Sequence, residues 1–115
     1  MIVNASIIID APRDEVFAIM TDYGQEVRRR ISPELKSQEV VKRDGNLFVC
    51  NNVWERDGKT ILQRRHYHVI APDTIEEEAI DNGRRLSLIV SRFDDLGDST
   101  RLNVSTDYHL TGIWW

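Results

Sequence analysis

Residues 7–23 read IIIDAPRDEVFAIMTDY, and this stretch decides how the rest of the chain is read. The β-branched run ending at Ile9 is strand-like. Asp10-Ala11-Pro12 turns it, and Pro12 suits a first helical turn, where a missing N–H costs nothing. Asp10 is placed to cap that helix, and Asp14 and Glu15 complement the positive end of its dipole. Val16, Phe17, Ile19, Met20 and Tyr23 then mark one apolar stripe at helical spacing. The stretch predicts a strand, a tight turn and an amphipathic helix in direct succession.

Upstream, residues 2–6 extend the strand, with Asn4 and Ser6 interrupting its apolar run. Downstream, the pattern predicts a second short helix over roughly 24–31, closed by Ser32-Pro33. From about residue 35 the period changes from 3.6 to 2. LKSQEVVKR, NLFVCNNVWER, KTILQRRHYHVI, TIEEEAI, RRLSLIVSRF and TRLNVSTDYHL read as six strands in meander order. Asp44-Gly45, Asp57-Gly58 and Asn82-Gly83 separate them as hairpin turns. Type I′ geometry would set Trp54 opposite Ile61 and Phe48 opposite Tyr67. It would also set Ala79, Glu77 and Ile75 opposite Leu86, Leu88 and Val90. The last three strands would then gather Ile75, Ala79, Leu86, Leu88, Val90, Leu102, Val104, Tyr108 and Leu110 on one core-facing wall. In the middle strands one face carries Phe48, Cys50, Trp54, Ile61 and Tyr67, the other Leu47, Val49, Val53 and Leu62. Bulges that swap faces in a bent sheet would explain that ambiguity.

With 115 residues, 41% hydrophobic and 30% charged, the chain predicts one globular domain with a real core. The net charge of −4 argues against a nucleic-acid partner, although Arg28-Arg29-Arg30 is locally basic. A single cysteine, Cys50, excludes an intrachain disulfide and a Cys-based zinc cluster. Its strand setting predicts a small buried residue. The first residues lack the pattern of a signal peptide, and no apolar run approaches the ~18 residues of a membrane span. A cytoplasmic location without membrane insertion is the resulting expectation.

The I-D-A-P turn, the helix DEVFAIMTD and a long meander whose last strand begins S-T-R-L resemble the START-domain/birch-pollen-allergen superfamily. That superfamily includes polyketide cyclase/dehydrase, lipid-transport and coenzyme Q-binding families. The resemblance runs from about Ile7 to Gly112. It implies an α+β helix-grip fold, in which a curved antiparallel sheet grips a long C-terminal helix around an apolar cavity. Two short helices would seal one end. It implies binding or transport of a small hydrophobic ligand such as a lipid, quinone or polyketide. No catalytic motif is shared across the superfamily. The chain departs from the pattern at Gly112-Ile113-Trp114-Trp115, where the long helix should begin. A bare apolar concave face is unfavourable in water. The expectations are therefore a single domain over 1–115 that is C-terminally incomplete, a homodimer completing the missing wall, or short helices folded over the face.

Asn51, Trp54, Tyr67, Leu88, Val90, Val104, Tyr108 and Trp114 are the candidate ligand-contacting residues. Asn51, Asn52 and Gln63 are mid-strand amides that either orient a ligand headgroup or form ordinary surface. Tyr67, Arg92, Asp107 and Tyr108 are further possible cavity polar groups. Trp54 precedes a hairpin tip and either gates a pocket or packs on a neighbouring strand. Adjacent Trp114 and Trp115 point to burial under a continuing helix or to a membrane interface. His66 and His68 share one side of a strand, as metal ligands would. The nearby Glu76, Glu77 and Glu78 favour instead cross-strand ion pairs with Arg64, Arg65, His66 and His68 on a solvated face. No metal or cofactor is expected. The sequence contains no convincing acid/base pair, which favours a carrier over a cyclase or dehydratase acting through cavity Tyr, His or Arg groups. A protein-interaction domain with a filled cavity is the third class.

Overall fold

β-Branched side chains fill Ile2–Ile9, and this segment forms the first strand, β1. The computed structural model describes residues 2–24, 33–81 and 83–108. After β1 the chain reverses tightly, with the Ala11 N–H donating to the Ile9 carbonyl at 2.9 Å. Thr100, fully buried, donates its hydroxyl to the Ala11 carbonyl at 2.8 Å and pins the turn to the far end of the chain. Thr100→Val keeps the volume but removes that donor. Urea denaturation is expected to show a loss of about 1–3 kcal/mol.

Helix α1 spans Arg13–Met20. Pro12 is its N-cap residue, in an extended conformation, and no side chain caps the helix. Asp10 does not take the expected capping role, because it lies two residues before the cap and outside the reach of the first free N–H groups. Asp14 and Glu15 do occupy the first turn. At the other end the Phe17 carbonyl accepts both the Thr21 N–H, at 3.0 Å, and the Thr21 hydroxyl, at 2.8 Å, so the C-cap residue holds the last turn twice. The expected second helix over 24–31 and the Arg28–Arg30 cluster lie outside the described residues, Gly24 apart.

The meander comprises β2 (Leu35–Asp44), β3 (Leu47–Arg56), β4 (Lys59–Ile70), β5 (Thr74–Asp81), β6 (Arg84–Asp95) and β7 (Thr100–Tyr108). With β1 they form one antiparallel sheet in the order β1-β7-β6-β5-β4-β3-β2. Among the described residues no helix follows β7. The Asp57-Gly58 turn has positive φ at both central residues, 52° and 75°, as type I′ requires. It delivers the expected pairs Trp54 with Ile61 and Phe48 with Tyr67.

Two turns depart from expectation. Asp44 pairs with Leu47, so the first loop is Gly45-Asn46 rather than Asp44-Gly45. Positive φ at Gly45 alone matches a type II′ turn. At the β5–β6 hairpin, Asp81 pairs with Arg84 and Ile80 with Arg85, as type I′ geometry predicts. A bulge then intervenes, and Ala79 pairs with Ser87. Leu86 is the extra residue. Every later pair is shifted by one, so Glu77 and Ile75 face Ile89 and Ser91 instead of Leu88 and Val90. A shift of one residue turns the strand over.

Phe93 and Ile75 pack against α1 and so define the inner face of the sheet. Following the register, Ile89, Leu102, Val104 and Tyr108 also point inward, whereas Leu88 and Val90 point outward. Leu110 lies outside the described residues. Phe48, Cys50, Trp54, Ile61 and Tyr67 all belong to the inner face. No bulge interrupts β3–β4; the irregularities lie in β2 and at the β5–β6 hairpin. Two buried clusters close one end of this face. Val16, Phe17, Ile75 and Phe93 form the first, and Tyr23, Cys50 and Tyr67 the second. Cys50 is thus a small buried residue, as its strand setting predicted.

Candidate functional site

Beyond the sealed end, the inner face opens into a cleft of about 580 Å³. Its apolar walls come from Trp54, Ile61, Ala79, Leu86, Ile89 and Tyr108, and its polar groups from Arg56, Gln63, Arg65 and Ser87. Strand alternation accounts for the set: with β3 and β4 locked by the Asp57-Gly58 turn, Asn52, Trp54, Ile61, Gln63, Arg65 and Tyr67 share one face.

Arg65 is held from three directions. Its Nη1 lies 3.1 Å from Glu77 Oε1, and both side chains are largely buried, at 17% and 16% exposure. Its Nε donates to Gln63 Oε1 at 2.7 Å. Its guanidinium carbon lies 5.1 Å from the centre of the Trp54 ring, a cation–π contact. The Trp54 indole N–H is buried and has no hydrogen-bond partner among the described residues.

A polar ladder lies next to this group. Asn52, 1% exposed, donates through Nδ2 to the Tyr67 hydroxyl at 2.8 Å. Gln38 Nε2 donates to the same oxygen at 3.3 Å, and Gln38 Oε1 accepts from the Gly24 N–H at 2.8 Å. The ladder ties β2, β3 and β4 to the segment after α1. Asn52 Oδ1 remains without a partner among the described residues.

Of the residues singled out from the sequence, Trp54, Tyr67, Val104 and Tyr108 are on the inner face. Tyr67 sits beneath Tyr23, ring centres 4.3 Å apart, and belongs to the sealed end rather than to the open cleft. Asn51 points outward and accepts from Arg64 Nε at 3.1 Å. Leu88 and Val90 point outward because of the bulge. Arg92, Asp107 and His66 also lie on the outer face, which removes them from the cavity. Trp114 lies outside the described residues.

The expected cross-strand ion pairs form, but not all on a solvated face. His68 Nδ1 lies 3.6 Å from Glu76, well exposed as expected, whereas Glu78 pairs not with β4 but with Arg85 of β6, at 3.4 Å, and Arg64 donates to Asn51. Arg65–Glu77 points into the concavity instead. Counting by twos from Trp54 across the type I′ turn would have placed Gln63 and Arg65 inside. Among the described residues, no group of three or more His, Cys, Asp or Glu side chains is placed to hold a metal ion. No helix among them is long and apolar enough to cross a membrane.

No family model matches this sequence, and no curated protein matches it. Solved structures do. Zhui aromatase/cyclase from Streptomyces sp. R1128 superposes with a TM-score of 0.81 at 16% identity, covering 95% of this chain and 67% of that one. Ara h 8.0201 superposes with a TM-score of 0.79 at 17% identity, covering 100% and 81%. A START superfamily protein from Mycobacterium smegmatis gives 0.79 at 17% identity, covering 94% and 76%. At these identities the likeness is one of fold. Over nearly its whole length the chain superposes on these structures, of which it covers 67–81%, and the strand, short helix and six-strand meander are the part of their fold that it shares.

Proposed function

We propose that this protein binds a small hydrophobic molecule bearing a carbonyl or hydroxyl group, in the open half of the concave sheet. The observation that carries this reading is the buried, unpartnered Trp54 N–H at the wall of an apolar cleft, beside a guanidinium fixed in place. A buried donor without an acceptor costs roughly 1–3 kcal/mol. With a small movement of the indole toward the cleft, a ligand oxygen would recover that cost, while Ile61, Ile89 and Tyr108 would shield its apolar body from water. The resemblance to lipid- and polyketide-handling proteins supports the same ligand class.

A second reading has one observation in its favour. Arg65 is a preorganised cation in a partly dry site, and such a group polarises a carbonyl. One of the superposed proteins is an aromatase/cyclase. An enzyme would need a placed proton donor and acceptor as well: His66 and Arg92 are on the wrong face, Glu77 is taken up by Arg65, Tyr67 lies in the sealed end, and of these groups only Tyr108 reaches the cleft. Carriage is therefore the reading adopted.

The test is a fluorescence titration with 1-anilinonaphthalene-8-sulfonate, an apolar probe with one acidic end. Ile89→Trp fills the cleft from a half-buried position without crowding the sealed core. It is expected to weaken binding about tenfold or more, a change of ~1.4 kcal/mol. Leu62→Ser, on the outer face at 77% exposure, should leave binding unchanged. The reverse pattern would sink the assignment.

A further inference from the structure

The two edges of the sheet are built differently. The β2 edge carries Lys36, Glu39, Lys42, Arg43 and Asp44 and is interrupted by two register shifts. Charges and bulges of this kind keep an edge from pairing with another chain. The β1 edge has neither. Ile2–Ile9 contains no charged residue and no proline, and its pairing with β7 runs without a shift. Ile2, Val3, Ile7 and Ile8 are 64%, 47%, 58% and 54% exposed. An eight-residue strand is about 27 Å long, so this is an extended, regular and apolar edge that pairs with no second strand among the described residues.

Its sequence is also self-complementary. In an antiparallel pair, residues opposite one another share a face, so two copies of β1 meet only in registers where the paired numbers have an even sum. With the two-fold axis at Ala5, Ile2 meets Ile8, Val3 meets Ile7, and Asn4 meets Ser6. Apolar β-branched residues face each other at both ends, and hydrogen-bonding side chains face each other near the centre. Moving the axis to Ser6 sets Asn4 against Ile8; moving it to Asn4 sets Ser6 against Ile2 and shortens the overlap. Only the Ala5 register matches like with like.

We propose that two copies of this chain associate through antiparallel β1–β1 pairing about Ala5, joining their seven-stranded sheets into one. The interface is isologous, as two-fold symmetry demands. One strand pair buries less than a standard interface, so the dimer should be weak, with a dissociation constant in roughly the micromolar range. This inference is independent of what the cleft binds.

Sedimentation velocity on the full 115-residue chain, over about 1 µM to about 1 mM, tests it. The expected result is a reversible shift from the 13.4 kDa monomer to a species of twice that mass. The register is tested by two double variants at the same exposed positions. Asn4→Lys with Ser6→Lys sets like charges opposite each other twice and should weaken the dimer about tenfold or more. Asn4→Glu with Ser6→Lys sets opposite charges there and should keep the dimer at least as tight as the wild type. Ala5→Cys should give a covalent dimer on mild oxidation. A wild-type monomer at every concentration, or equal dimerisation of the two double variants, would overturn the proposal.

Discussion

Phe93→Ala is expected to lower stability by about 3–5 kcal/mol, measured by urea denaturation followed in the far-ultraviolet circular dichroism. Phe93 is 1% exposed and forms a T-shaped pair with Phe17 at a ring separation of 5.3 Å and an interplanar angle of 89°. Around it pack Val16, Ile75 and, from the flank, Ile9, Met20 and Leu102. Truncation leaves a cavity that the backbone cannot collapse to fill, because β5, β6 and β7 are fixed by their ladders on both sides. α1 is short, and an isolated helix of its length is marginal in water, so it depends on this contact to stay folded. Domains of this kind have about 5–15 kcal/mol in all, so the loss is a large share of the total. Phe93→Leu should cost about 1–2 kcal/mol, because most of the volume is kept. A Phe93→Ala loss below about 1 kcal/mol would show that α1 is not anchored by this cluster.

The second large effect concerns Arg65 and Glu77. Glu77→Leu should destabilise the protein by about 2–4 kcal/mol, because it leaves the Arg65 guanidinium largely buried without its carboxylate. The double variant Arg65→Met/Glu77→Leu removes both charges and should recover most of that loss, or exceed the wild type. That recovery would show that the pair is not retained for stability. If it orients a ligand, the double variant should fold well and bind 1-anilinonaphthalene-8-sulfonate about tenfold more weakly. A fully folded double variant with unchanged affinity would remove Arg65 from the site.

Most of the fold was legible because its signals are local. The Asp57-Gly58 turn takes the type I′ geometry that this dipeptide favours, and from it the whole β3–β4 register follows. The strand-turn-helix at Ile7–Tyr23 is likewise marked by composition, although the cap fell to Pro12. What failed was the propagation of register past a bulge. In RRLSLIVSRF the set Leu86, Leu88 and Val90 looks like the core face; the bulge leaves Leu86 at the cleft but turns Leu88 and Val90 outward, and the regular inner set, Ser87, Ile89, Ser91 and Phe93, contains two serines. No local signal announces Leu86 as an extra residue. The cleft's ion pair was expected, but on a solvated face, and its inward setting was unread for a different reason. Charged residues at alternating positions read as a solvated face, and burial is recognised only when both partners are seen to point inward. Functional sites are where such local rules are expected to fail.

The central claim is that ligand binding occurs at Trp54 and Arg65 on the open half of the inner face. Heteronuclear NMR of the nitrogen-15-labelled protein during titration with 1-anilinonaphthalene-8-sulfonate tests it most directly. The Trp54 indole N–H, assigned by its loss in Trp54→Phe, should move downfield and saturate as it gains an acceptor, together with the Arg65 Nε–H. Backbone signals of Leu62, Leu88 and Val90, whose side chains point outward, should stay in place. Movement of those outer-face signals, with Trp54 and Arg65 unchanged, would contradict the account.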